Sequence, residues 1–381
     1  ARRLFSAIRQ DLGLTAGEWQ TNRPLADLTE ETKEILEEEL ERRMSGAGFF
    51  QRENPLVRHV VLRKRQQLED ANLLTRVGVE VHPDRSIVSD PRAFDVLFEG
   101  KALRTIEDFR EAYGEARSFG KALAKRGKGS GLMEQRICSS IQAGLATARR
   151  LLQGDSIHEE GDEYETDLTV DTREEREVLG RLIDRLERLE VDPKMEAVIH
   201  FLDKEKWRDL GVIIFSQYYD TAKWLADELA RRYPEEPIGL YAGAGRSRLY
   251  QRGDSVSVER ETLKRMVAEH EIRIMVATDA ACEGLNLQTL GTLINIDMPW
   301  NPTRLEQRIG RIKRFGQKRE TVDMLNLVFE QTVDEKIYER LSERMRDRYD
   351  IFGSLPDTIK DDWIEDIESL GEKLDEYINA Q

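Results

Sequence analysis

Over the first half of the chain, apolar side chains recur mainly at the three-and-four spacing of amphipathic helices. Ile35, Leu36, Leu40 and Met44 mark one stripe, and Phe109, Tyr113, Ala116, Phe119 and Leu123 a second. Ile137, Ile141, Leu145 and Ala148 mark a third, and Leu179, Leu182, Leu186 and Leu189 a fourth. One strand interrupts them, RVGVEVHP (76–83), in which Val77, Val79 and Val81 alternate with other residues. The stretch GDSIHEEGDEYETDLTVD (154–171) holds few large apolar residues and reads as an acidic loop or linker.

The pattern changes near residue 190. GVIIFS (211–216), PIGLY (237–241), IRIMVA (272–277), TLINID (292–297) and TVDMLNLV (321–328) read as strands, several with the consecutive apolar residues of buried parallel strands. TAKWLADELARRY (221–233) and ERETLKRMVAEH (259–270) between them are amphipathic helices. This alternation predicts an α/β fold with a parallel sheet covered on both faces, whose function collects at the carboxyl ends of the strands. From 332 onward the chain returns to helix, ending in acidic DDWIEDIESLGEKLDEY (361–377).

Composition narrows this picture. The 381 residues carry 59 Lys+Arg against 74 Asp+Glu, a net charge of −15, which argues against a protein coated in basic charge. The charge is uneven: acid gathers at 30–41, 154–177 and 361–377, base at 63–65, 121–128 and 304–319, where a phosphate-facing surface is expected. No apolar stretch approaches the ~20 residues of a membrane span. The start, ARRLFSAIRQ, has neither the apolar core of a secretory signal nor a Met, so Ala1 is expected to be internal to a longer protein. The two cysteines, Cys138 and Cys282, lack CxxC spacing, which fits a reducing compartment and excludes a disulfide scaffold. His59, His158, His200 and His270 show no metal spacing, and no metal site is expected.

Chemistry concentrates in 272–317. In ATDAACEGLNLQ (277–288), Thr278 and Asp279 leave a buried strand ahead of a flexible Gly284; they suit either a phosphate or sugar contact or an ordinary turn. DMPWNP (297–302) then opens a helix, with Asn301 as N-cap and Pro302 at the first helical position. Along TRLEQRIGRIKRFGQ (303–317), Gln307, Arg311 and Arg314 share one face and Arg304, Arg308 and Arg311 an adjacent ridge. Gly310 costs about 1 kcal/mol relative to Ala in a helix, a loss that a merely solvated basic face does not require. Guanidinium groups suit polyphosphate oxygens, yet no GxxxxGK(S/T) cradle is found; FGKALAKRGKGSG (119–131) has the wrong spacing. Arginines without a cradle imply that they reach toward a nucleotide held by another domain.

These residues resemble motifs V and VI of superfamily-two helicases, in the form used by Swi/Snf-type DNA translocases and nearest the bacterial RapA/HepA-like branch. DPKMEAVIHFLDKEKWRDLGVIIFSQYYDTAKWLADEL (192–229) is similar to the family's approach to the second RecA-like lobe and motif IV, and LMEQRICSSIQAGLATA (132–148) resembles a helix of the Swi/Snf protrusion. VRHVVLRKRQQLED (57–70) is similar to the end of a first lobe. The resemblance implies a RecA-like second helicase lobe at 191–330, a helical protrusion at 91–190 with an acidic loop (154–177), a first-lobe tail at 1–90, and C-terminal helices at 331–381. It implies ATP and Mg2+ bound mainly by the first RecA-like lobe, with Arg311 and Arg314 as arginine fingers. Arg308 then pairs with acidic groups of that lobe or with phosphate, Gln307 makes interlobe hydrogen bonds, Asp279 and Gly284 face the nucleotide, and Gly310 permits close approach. Ser216, Gln217, Thr278 and Asn286 become candidates for a DNA backbone, while Trp300 either stacks against DNA or anchors its helix. Double-stranded DNA is the expected partner, with RNA polymerase or defence-system proteins as further ones, in the cytoplasm at the nucleoid. Two other readings stay open: a non-catalytic interaction module, and an RNA helicase fragment.

Overall fold

A computed structural model describes residues 2–14, 28–36, 78–127, 131–155, 168–243, 245–279, 287–299, 301–312, 317 and 319–341. The chain divides into two compact units. The smaller takes residues 1–63 and 347–354. It contains helix α1 (Arg2–Asp11) and a second helical segment over 30–36, where Thr29 donates its hydroxyl to Asp11 at 2.7 Å.

The larger unit is built on an eight-stranded sheet. Its strands are β1 (Gly78–His82), β4 (Val212–Ser216), β5 (Ile238–Tyr241), β6 (Arg248–Gln251), β7 (Asp254–Ser257), β8 (Ile274–Thr278), β9 (Thr292–Asn295) and β10 (Thr321–Asn326), with a separate small hairpin of β2 (Phe98–Glu99) and β3 (Ala102–Leu103). The order β1-β10-β9-β4-β8-β5-β6-β7 is parallel from β1 to β5. β4 and β8 lie at its centre and are buried at every position, as their unbroken apolar runs VIIFS and IMVAT require. β1 pairs in parallel with β10, so the strand that the sequence sets in the first-lobe tail is hydrogen-bonded into this sheet.

The last two strands were not foreseen. β6 and β7 form an antiparallel hairpin over 248–257, where the sequence predicts no element. Arg252 and Gly253 turn it with φ of 53° and 83°, the paired positive values of a tight hairpin turn. RLYQ and DSVS are too polar to announce strands, and β7 is exposed throughout.

Helices α2 (Pro91–Leu97), α3 (Glu107–Ala124), α4 (Leu132–Ser139), α5 (Ile141–Gln153) and α6 (Arg173–Arg188) precede the central strands. The single helix expected over 137–148 is two. Ser140 is extended (φ −162°, ψ 154°), ends α4, and accepts the Ala143 N–H at 3.0 Å as the N-cap of α5. α6 opens with a capping box between Thr172 and Glu175. Glu175, fully buried, also takes two hydrogen bonds from Arg126 at 2.7 and 3.0 Å. Helix α7 (Pro193–Asp203), capped by Asp192, and the short α8 (Trp207–Leu210) lead into β4. Further helices among the described residues are α9 (Tyr219–Arg232), α10 (Arg260–Ala268) and α11 (Pro302–Ile312), and residues 333–341 are helical as well. One continuous apolar core joins helices to sheet; Phe109 of α3 meets Phe329, just past β10, with ring centroids 4.4 Å apart. Among the described residues no helix is long and apolar enough to cross a membrane.

Gly144 shows how tightly the helical part is closed. A Cβ there would lie 2.7 Å from Ile137 Cγ1 and 3.4 Å from Leu186 Cδ1. An alanine raises helix propensity but overfills the α4–α5 contact, and overpacking costs about 1–3 kcal/mol. Gly144→Ala is therefore expected to lower the midpoint of chemical denaturation, and a variant as stable as the parent would contradict this packing.

Candidate functional site

The site is built around one buried charge. In α11, Leu305, Arg308, Ile309 and Ile312 are all buried, so the apolar stripe that docks the helix carries an arginine within it. Arg308 reaches the carboxyl ends of β8 and β9, the two strands that flank β4. Its Nε and Nη2 donate to the two oxygens of Asp279, just after β8, at 2.6 and 2.8 Å. Its Nη1 donates to Asn295 Oδ1 at the end of β9 (2.9 Å) and to the Asp297 carbonyl (2.8 Å). Asp297 Oδ1 lies 3.5 Å from Nη2, and the guanidinium stands over the Phe215 ring at 5.5 Å. The fork geometry satisfies nearly every N–H that burial removed from water, the condition under which a buried guanidinium is tolerated.

Asp297 is a second node. Its Oδ2 accepts from Ser139 Oγ (2.7 Å) and Ser216 Oγ (2.6 Å), and its Oδ1 from the Gln217 backbone N–H (2.8 Å). Gln217 also donates its side-chain amide to the Met298 carbonyl at 2.9 Å. The wholly buried Lys194 of α7 donates to the neighbouring Ile296 carbonyl at 2.6 Å and to Asp334 Oδ2 at 2.8 Å. Burial raises the Asp334 carboxyl against the opposing pull of Lys194. Burial also drives the Cys138 thiol well above its usual range, and Asp334 adds to that, so Cys138 is chemically quiet.

Residues 193–316 match the family of helicase conserved C-terminal domains. The chain is similar to the ATP-dependent helicase YqhH of Bacillus subtilis, 30% identical over 227 residues that cover 60% of this chain and 36% of that one. It is similar to the SNF2 domain-containing protein CLASSY 3 of Arabidopsis thaliana, 28% identical over 162 residues (39% of this chain, 11% of that one). It is also similar to the RNA polymerase-associated protein RapA of Pectobacterium carotovorum, 31% identical over 131 residues (34% and 12%). Residues 193–316 thus form a helicase C-terminal domain, and the chain is similar to ATP-dependent helicases. It spans about a third or less of the length of these relatives.

Within this helicase lobe, several expected site residues sit differently from the reading of the sequence. Arg308, expected to pair with acidic groups of the first lobe or with phosphate, forms its fork with Asp279 of its own chain, and both Asp279 oxygens take part. Ser216, expected at the DNA backbone, is 1% exposed with its hydroxyl on Asp297, and Thr278 is 5% exposed; neither side chain faces solvent. Gln217 is half-buried, with its amide directed at Met298. Gln307 is exposed, Arg311 is half-buried with its carbonyl accepting from Leu287 N at 3.2 Å, and a Cβ built at Gly310 meets nothing within 4 Å. Gly284, Asn286, Trp300 and Arg314 lie outside the described residues.

The residues that sequence reasoning missed in this lobe are Asn295, Asp297, Ser139, Lys194 and Asp334. Only Asp297, an acid at a strand exit before a basic helix, carried a local signal. Away from this site, Glu80 and His82 of β1 and Asp323 of β10 bring ligand-capable atoms within 4.8 Å of one another. The Asp323 carboxylate takes a hydrogen bond from Arg319 at 2.9 Å, and its other oxygen lies 3.4 Å from His82 Nε2.

Lysine cannot reproduce the fork that Arg308 makes, and breaking a buried pair costs about 3–5 kcal/mol. Arg308→Lys is expected to lose a large part of that in chemical denaturation, whereas the exposed Gln307→Ala stays within about 0.5 kcal/mol. Equal stabilities for the two variants would contradict the assignment of Arg308 as the anchor.

Proposed function

We propose that this chain supplies the C-terminal lobe of an ATP-dependent duplex-DNA translocase, presenting arginine fingers to a nucleotide held mainly by a first RecA-like lobe. The observation that carries this reading is the division of labour along α11. Arg308 is turned inward and neutralised by its own chain, while Arg311 lies three residues on, beside a glycine with open space around its Cα. A Cβ built at Gly310 meets nothing within 4 Å, so the missing side chain leaves room for a surface that docks on α11.

The chain's residues fit a contributor to a nucleotide site rather than a complete one, since no phosphate cradle is found in the sequence. ATP with Mg2+ supplies the phosphoryl group whose transfer to water drives the cycle. Arg311 and Arg314 place guanidinium charge against the developing negative charge on that group, a contribution of roughly 10³–10⁵ in rate in related phosphoryl transfers. Arg308 and Asp279 hold the helix so that this charge arrives in a fixed position. Gln307, on the exposed face, makes interlobe hydrogen bonds. Gln217, Asn286 and Trp300 remain candidates for holding the DNA backbone, without base reading. RNA polymerase enters as a proposed partner through the similarity to RapA.

In the full-length protein, Arg311→Ala is expected to reduce duplex-DNA-stimulated ATP turnover by about 10³ or more, with duplex affinity within about twofold of the parent. Undiminished turnover would overturn the finger assignment and favour the interaction-module reading. Stimulation by RNA in place of duplex DNA would favour an RNA helicase.

A further inference from the structure

Ser139 and Asp297 are 158 positions apart, yet their hydrogen bond is one of the shortest connections between the helical segment and the sheet. Around it four hydroxyl and amide groups form a chain whose direction can be worked out. A carboxylate only accepts, so the single hydroxyl proton of Ser139 goes to Asp297 Oδ2. Thr221 Oγ1, 2.7 Å from Ser139 Oγ, must then be the donor of that contact. With its own proton used, Thr221 accepts from Ser140 Oγ at 2.9 Å. Ser140 in turn accepts the Ala143 N–H that opens α5. The chain runs from the first turn of α5 through Ser140, Thr221 and Ser139 to Asp297, each bond polarising the next toward the buried charge. Asp297 passes the connection on, since its carbonyl accepts from Arg308 Nη1 at 2.8 Å and its carboxylate faces Nη2.

We infer that Ser139 is a positioning residue for the arginine-bearing helix: through Asp297 it ties the α4–α5 junction to Arg308, so that the helical segment and α11 move as one body. The inference rests on the reading of α11 as the phosphate-facing helix only for its consequence in turnover, not for the tie itself. Removal of the Ser139 hydroxyl leaves Asp297 with Ser216 and the Gln217 N–H, which keep the strand ends in place. What is lost is the hydrogen bond from α4 to Asp297, while Ser140 still touches Thr221 of α9. The adjacent Ser140 provides the contrast. It caps α5 and touches Thr221 but not Asp297, so its loss weakens a helix end while the Ser139–Asp297 bond persists.

The test compares Ser139→Ala with Ser140→Ala in the full-length protein. Hydrogen exchange of peptides from 302–312 is measured together with kcat and KM for ATP at saturating duplex DNA. Ser139→Ala is expected to speed exchange in 302–312 by about tenfold, the equivalent of one hydrogen bond to a charged acceptor, and to lower kcat with KM unchanged. Ser140→Ala is expected to speed exchange in 141–153 while leaving 302–312 and kcat within about twofold of the parent. Exchange in 302–312 that is unchanged by Ser139→Ala, or equally raised by both variants, overturns the tie whatever the turnover shows. If exchange responds as expected while Arg311→Ala keeps full turnover, the tie stands and the arginine-finger reading falls.

Discussion

A guanidinium that is fully withdrawn from water must be met on its edge by oxygens, and this requirement organises the site. Arg308 cannot turn outward without taking α11 with it, because Leu305, Ile309 and Ile312 bury the same face of the helix. The sheet therefore has to present acceptors where α11 docks. β8 ends in Thr278–Asp279, β9 in Asn295 followed by Asp297, and both lie at the carboxyl edge that a parallel sheet leaves open. One positive charge sits between two carboxylates, and the second, Asp297, is quenched by hydroxyl and amide donors from β4 and α4.

This arrangement gives α11 two unlike faces. The inner face is fixed by charge and packing, which limits how far the helix can tilt. The outer face carries Gln307 and the open space at Gly310. A helix anchored by one arginine can hold the next at a set distance from whatever docks there, with little reorganisation left for the moment of reaction. Lys194, itself paired with Asp334, reinforces the frame by holding the Ile296 carbonyl.

How much of this could be read from the sequence depended on range. β4, β8 and β9 were legible because buried parallel strands require consecutive apolar residues, and all three appear near their expected positions. The β6–β7 hairpin was not, since its exposed strands carry no apolar signature. The break at Ser140 was hidden because the apolar periodicity continues across it on both helices. In α11 the spacing of Leu305, Ile309 and Ile312 already placed Arg308 among them, but charge alone suggested an outward role. The hydrogen bonds to the Asp297 carboxylate come from residues 80 to 158 positions away, and no local pattern encodes partners at that range.

On the proposed function, Arg308 stays locked to Asp279 while Arg311 is delivered to phosphate. This is tested most directly by a structure of the full-length protein trapped with duplex DNA and a γ-phosphate mimic. The account predicts Arg311 within about 3 Å of the mimic's oxygens, with the Arg308–Asp279 fork unchanged. An Arg308 that has left Asp279 for the nucleotide, or an Arg311 directed away from it, would contradict the account.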